Sequence, residues 1–130
     1  MDMESAFRAR LLAAAPVVEL VAQRVSWVDR PQAAALPAIT LQLVTDDRAQ
    51  SYSGLDGAQP GYVQVDVWGL TYAAVKAAKE AVIDALLPSA VVDGIRFHRA
   101  TASARDLSER TDTQFIFRQS IDFNFFYATA

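Results

Sequence analysis

The sequence predicts an α+β domain, in which helices cover one face of a mixed β-sheet dominated by antiparallel pairs. Residues 61–69 alternate valines with polar or aromatic side chains, the pattern of a strand with one face in a core. A helical pattern follows directly over 72–87. Short connections such as 88–94 favour antiparallel neighbours, although the strand–helix–strand order over 61–99 leaves a parallel pair possible.

The predicted core lies between that helix and two strands. The strand residues expected in it are Val63, Val65, Val67, Phe115, Phe117, Ile121 and Phe123, and the helix residues are Val75, Ala78, Val82 and Leu86.

Composition places the chain among folded proteins of one domain, residues 1–130. Just over half of the 130 residues are hydrophobic (52%), 21% are charged, and the net charge is −3. Without a basic patch, avid binding to nucleic acid is not expected. There is no cysteine, which excludes disulfides and thiolate metal sites. No signal peptide or membrane span is evident, so a soluble protein made in the cytoplasm is expected.

The remaining elements are marked by cap and turn residues. Residues 4–14 have helical spacing, with Ser5 as the expected N-cap. Pro16 either begins a second short helix or bends the first. Thr71 is the expected cap of the long helix, and Asp93-Gly94 predicts a turn. The predicted order is α-α-β-β-β-α-β-β, with strands at 25–28, 39–45, 61–69, 95–99 and 115–127 and loops at 46–60 and 103–113.

The residues that could carry chemistry are few. His98 is the single histidine, and no cysteine or second histidine can join it in a metal or catalytic site. Asp46-Asp47 and the pair Asp106 and Glu109 are the best carboxylate clusters, but neither has the spacing of a calcium loop. Solvated surface charge is the favoured interpretation. No catalytic, cofactor-binding or metal-binding residue is therefore predicted.

The second face of the central strands is polar, and such a face on an otherwise apolar domain calls for a functional explanation. Gln64, Asp66 and Trp68 share this face on one strand. Arg118, Ser120, Asp122 and Asn124 share it on the last strand. Trp68 either anchors a protein interface or covers the edge of its own sheet.

Three motifs, in this order along the chain, carry a family resemblance: Pro31-Gln-Ala-Ala-Ala-Leu-Pro37, Val63-Gln-Val-Asp-Val-Trp68 and Arg118-Gln-Ser-Ile-Asp-Phe123. The chain resembles the small tail-completion, or tail-terminator, family of long-tailed phages, prophages and gene transfer agents. The similarity covers about 8–127.

The resemblance implies a fold like that of tail-tube subunits and a structural role without cofactors. Members form a closed ring, usually a hexamer, at the head-proximal end of the tail tube. The ring ends tube growth and offers a surface to neck proteins, and DNA passes through it without specific binding. A virion protein assembled in the bacterial cytoplasm is thus expected. The alternative is a small dimeric α+β ligand-binding or enzyme domain, which would differ in stoichiometry.

Two candidate surfaces follow from this resemblance. Ring contacts are expected at the loop 46–60, and the predicted interface residues are Asp46, Asp47, Tyr52, Leu55, Asp56 and Trp68. The polar strand face is expected to line the bore, through Gln64, Asp66, Arg118, Ser120 and Asp122. Because a bare arginine would bind phosphate, Arg118 should have an acid partner, either Asp66 or Asp122.

Overall fold

The computed structural model describes residues 2–28, 36–45, 58–110 and 115–130. Within them the helices are α1 (Met3–Leu12), α2 (Ala15–Val21) and α3 (Tyr72–Leu86). The strands are β1 (Val25–Trp27), β2 (Ala38–Thr45), β3 (Gln59–Gly69), β4 (Ala90–Val92), β5 (Ile95–Phe97), β6 (Thr101–Asp106), β7 (Glu109–Arg110) and β8 (Phe115–Thr129). None of these helices is long and apolar enough to span a membrane.

The strands form one mixed sheet in the order β1-β2-β3-β8-β5-β4. Only the β1–β2 pair is parallel among the described strands. The long strand β8 is central, with β3 along one side and β5, β6 and β7 along the other. The predicted α+β class and the antiparallel-dominated mixed sheet are therefore confirmed.

A single apolar cluster joins the helices to one face of the sheet. The three valines of β3 and the helix residues Val75, Ala78, Val82 and Leu86 are buried in it, as predicted. Ile121 and Phe123 join them from β8, and Phe117 packs against the cluster while only partly buried. A Cβ at Gly69 would lie 2.6 Å from Val75 Cγ2, so glycine there lets α3 fold back closely onto the sheet.

Helix α1 is hydrogen-bonded to the chain at both edges of the sheet. Arg8 Nε donates to the carbonyl of Val25 (2.8 Å), and Trp27 Nε1 donates to the carbonyl of Glu4 (3.1 Å), which ties the helix to β1. On the other side, Arg10 Nη2 donates to the carbonyl of Pro88, two residues before β4. The guanidinium groups of Arg8 and Arg10 thus connect α1 to backbone oxygens at the two edges of the sheet.

Cap and turn chemistry fixes where the elements begin and end. The predicted Ser5 cap of α1 is wrong: Asp2 is the N-cap, and it accepts from the Ser5 amide (2.8 Å). Pro16 lies in the first turn of α2 and therefore starts that helix, and Thr71 Oγ1 caps α3 by accepting from the Ala74 amide. Asp93 and Gly94 both have positive φ and close the β4–β5 hairpin, as predicted.

The loop predicted at 103–113 is also wrong over its described part. Residues 101–106 form β6 and residues 109–110 form β7, and β4 adds a third strand absent from the predicted order. Every residue of β6 is exposed, so burial imposes no apolar alternation on its sequence. The backbone ladder to β8 holds this strand instead.

Candidate functional site

Strand register brings the polar residues together on the sheet face opposite the helices. Directly paired residues of antiparallel strands share a face. One cross-strand row therefore contains Thr40, Asp66, Ser120 and Arg105, and the next contains Gln42, Gln64, Asp122 and Ser103. A third row contains Trp68 and Arg118. We call these three rows the polar face.

The first cluster on this face is centred on Asp66. Arg118 Nη2 lies 2.8 Å from Asp66 Oδ2, and Gln64 Nε2 donates to both carboxylate oxygens at 3.2 Å. The Arg118 guanidinium also covers the Trp68 ring, at 4.6 Å from its centroid. Trp68 Nε1 in turn donates to Thr40 Oγ1 (3.0 Å). The predicted acid partner of Arg118 is thus identified as Asp66.

The second cluster pairs Asp122 with an arginine from β6. Arg105 Nη1 lies 2.6 Å from Asp122 Oδ2. Hydrogen bonding to Asp122 and the charge of that carboxylate raise the pKa of Arg105 above its ordinary value. The sequence analysis had placed Arg105 in a loop, so this partner was missed. The faint alternation of Ala102 and Ala104 with polar residues was the available signal.

The side chains of the polar face bury one another from solvent. Asp66, Ser120 and Asp122 are 5%, 0% and 9% exposed, although the alternation predicted a face in a polar setting. Three of its buried atoms have no hydrogen-bond partner among the described residues: Arg118 Nε, Ser120 Oγ and Asp122 Oδ1. Two aspartates balance two arginines, so the ion pairs leave this surface neutral overall.

The predicted interface residues divide into two groups. Asp46, Asp47, Tyr52, Leu55 and Asp56 lie outside the described residues. Trp68 is described, and its indole donates to Thr40 and lies against the Arg118 guanidinium on β3, an interior strand of the sheet. A contact between Trp68 and another protein stays a prediction. In the described part of the chain, no three His, Cys, Asp or Glu side chains could hold a metal ion.

A second feature, which the sequence did not predict, lies at the β4 edge of the sheet. A cleft of about 330 Å³ is lined by Ser89, Ala90, Val91, Arg96, Phe97 and His98. Behind it, the largely buried Arg10 guanidinium lies 5.6 Å from the centroid of the Phe97 ring. Burial lowers the pKa of Arg10, and no carboxylate bonds to it among the described residues. We call these six lining residues the basic cleft.

The fold built around these surfaces is similar to the folds of two solved structures. A chain in the structure described as "Virion of native gene transfer agent (GTA) particle" is similar at a TM-score of 0.72 and 22% sequence identity, over 97% of this chain and 94% of that chain. A second solved structure is similar at a TM-score of 0.50 and 14% identity, over 98% of this chain and 93% of that one. No curated protein matches this chain.

The family follows from the sequence itself. The profile of the family described as "Tail completion protein gp17" matches residues 5–128. The chain therefore belongs to the tail completion protein gp17 family and is a structural protein of phage tails. This family is not a family of enzymes. The resemblance carried by the three sequence motifs is confirmed.

Proposed function

We propose that this protein forms a closed ring, a hexamer, on the head-proximal end of the tail tube. The ring ends tube polymerisation and provides the surface to which the head is joined. The family match over residues 5–128 is the observation that carries this proposal. Its partners are further copies of itself, the tail tube protein and a head–tail connector or neck protein, and it assembles in the host cytoplasm before it enters the virion.

The ring requires two different contact surfaces on each copy, because cyclic assemblies other than dimers are joined head to tail. The segment after β2 supplies one of them in this proposal, with Tyr52 and Leu55 as apolar anchors and Asp46, Asp47 and Asp56 around them. Trp68 lies at the end of β3 remote from that segment. It contributes a separate contact there, through the part of its ring that stays accessible.

The polar face lines the bore through Gln64, Asp66, Arg118, Ser120 and Asp122. A bore that carries DNA should not hold phosphates, since each contact with a basic side chain adds salt-dependent affinity. The ion pairs Arg118–Asp66 and Arg105–Asp122 support this assignment, because each carboxylate holds one guanidinium group on the sheet. DNA would then pass without specific binding.

The termination role is tested by polymerisation of purified tube protein in the presence of this chain. Wild-type protein should cap tubes and shorten their mean length in electron micrographs, and gold-labelled copies should lie at one end only. Asp47→Arg combined with Leu55→Ala should abolish the effect while the circular dichroism spectrum stays unchanged. Tubes that keep their length with wild-type protein would contradict the proposed function.

The bore is tested at exposed positions, because Asp66 and Asp122 are bonded in place and their replacement disturbs folding. Ser103 lies on the polar face, Asn124 lies two residues beyond Asp122 on the same side of β8, and both are exposed. Lysine at both should slow DNA ejection from assembled particles, most strongly at low salt. Ala73→Lys with Ala77→Lys adds the same two charges on α3 and is the control. Equal ejection rates in both variants would remove the polar face from the bore.

Stoichiometry separates this proposal from the alternative of a dimeric ligand-binding or enzyme domain. Native mass spectrometry, with and without capped tubes, should give a ring of six copies. A stable dimer that does not bind tubes would support the alternative.

A further inference from the structure

We propose that the basic cleft of each copy receives the acidic segment 46–57 of a neighbouring copy. This inference rests on the proposed ring and names the second half of its subunit contact. Four observations carry it: the charge of the cleft, its apolar wall, its place in the sheet and the composition of the segment.

The cleft carries positive charge without a carboxylate among its lining residues. Arg96 and His98 line it, and Arg99 follows them as an exposed side chain. Asp93 is the single acid in residues 88–100, and it lies at the hairpin tip outside the lining. No carboxylate in the described ranges bonds to Arg10, whose guanidinium lies 5.6 Å from the centroid of the Phe97 ring, so its charge adds to the same potential. The cleft therefore favours an anionic occupant although the whole chain has a net charge of −3.

The wall of the cleft is apolar where the charges are absent. Val91 is 54% exposed, and Ala90 beside it also lines the cleft. An occupant that bears apolar side chains beside its carboxylates would cover this exposed surface. A free inorganic anion would leave it uncovered.

The segment 46–57 has the matching composition. It contains Asp46, Asp47 and Asp56 against one basic residue, Arg48, and it carries Tyr52 and Leu55 between the acids. The segment thus combines acidic and apolar side chains, and the cleft combines basic and apolar ones.

Strand register places Thr45, which precedes the segment, and the cleft at opposite edges of the same end of the sheet. Gln59, which follows the segment, pairs with Tyr127 of β8, and Tyr127 pairs with Phe97 of the cleft. On the far side of β5, Phe97 pairs with Ala90 of β4, the edge strand. At the other edge, β1 ends opposite Leu41, so β2 has no described outer neighbour as it approaches the segment. About 19 Å separates β2 from β4, four strand spacings.

This placement has the geometry that a closed ring needs. Copies that meet edge to edge at one level of the sheet are not displaced along the strands from one contact to the next. Repetition of such a contact closes when the rotation between copies divides a full turn, whereas a displaced contact would generate a helical filament.

The test uses two charge-reversed variants that are complementary to each other. Variant one carries Arg96→Glu and Arg99→Glu, and variant two carries Asp46→Lys and Asp47→Lys. Each variant alone places like charges in every contact, so native mass spectrometry should show a roughly tenfold or greater loss of rings, or of tube-bound copies. An equimolar mixture should restore them, with the two variants alternating around rings of even number. Lys76→Glu with Lys79→Glu on α3 is the control and should assemble as wild type.

Cross-linking gives an independent readout, because the chain contains no cysteine. Copies with Asp47→Cys, mixed under oxidising conditions with copies that carry His98→Cys, should form a disulfide-linked heterodimer. Copies with Lys76→Cys should not form one with either partner.

The outcomes separate the contact from the function. Normal rings in either variant alone, or a mixture that fails to restore them, would overturn the contact. If variant one still caps tubes, the termination role stands and the proposed contact is rejected. A heterodisulfide formed by a protein that leaves tube length unchanged would support the contact and reject termination.

Discussion

Three helices cover the apolar face of the sheet, whereas the side chains of the strands themselves fill the polar face. Contacts on the apolar face are non-directional, so alternation of valines and phenylalanines is enough to specify them. On the polar face each contact joins two named groups in adjacent rows, such as Arg118 with Asp66. A register slip of two residues would keep the apolar side chains in the core but break these pairs together. The polar face therefore fixes the register of a sheet whose stability comes from the other side.

The largest expected effect is on the apolar face. Phe123 is fully buried between β8 and the helices, so Phe123→Ala should lower the free energy of unfolding by about 3–5 kcal/mol. Phe126, on the same strand and 55% exposed, is the matched control, and Phe126→Ala should cost less than about 1 kcal/mol. Urea unfolding followed by circular dichroism measures both. Equal losses would mean that the two faces of β8 do not differ in burial.

Removal of the acid at the centre of the polar face should have the next largest effect. Asp66→Ala leaves the Arg118 guanidinium half-buried without its carboxylate, and a loss of about 2–4 kcal/mol is expected. Asp66→Leu with Arg118→Leu should recover most of that loss, because no lone charge remains. Urea titrations of the single and double variants give the coupling energy. A double variant less stable than either single one would show that the pair itself stabilises the fold.

The outer ion pair should contribute less. Arg105 is 49% exposed at its side chain, so solvent screens its attraction to Asp122. Arg105→Ala should lower the free energy of unfolding by less than Asp66→Ala does. This loss should shrink in 1 M salt, whereas the loss in Asp66→Ala should change little. Thermal unfolding at two salt concentrations measures the difference, and an equal salt response in both variants would contradict the distinction.

The smallest expected effect is a gain. Ser120 Oγ is buried without a partner among the described residues, and desolvation of an unbonded hydroxyl is unfavourable. Ser120→Ala should therefore raise the free energy of unfolding by up to about 1 kcal/mol. A loss of similar size in chemical denaturation would reveal a bonded water at this hydroxyl.

Alternation and cap chemistry predicted much of the fold because both are local. The β3 valines, the α3 stripe, the Thr71 cap and the Asp93-Gly94 turn all follow from residues close in sequence. Strand β6 could not be found in the same way, since none of its side chains is buried. The polar face was predicted residue by residue, but its closure depends on the Arg105–Asp122 pair. That pair joins strands whose register the sequence does not state.

The bonds of α1 have a mechanical consequence. Through Arg8 and Trp27 the helix holds β1, and through Arg10 it holds the chain before β4, which are the two outermost strands of the sheet path. The helix therefore connects the two edges of the sheet through hydrogen bonds. Because three hydrogen bonds connect the helix to both edges, they limit how far the edges can move apart when the sheet flexes.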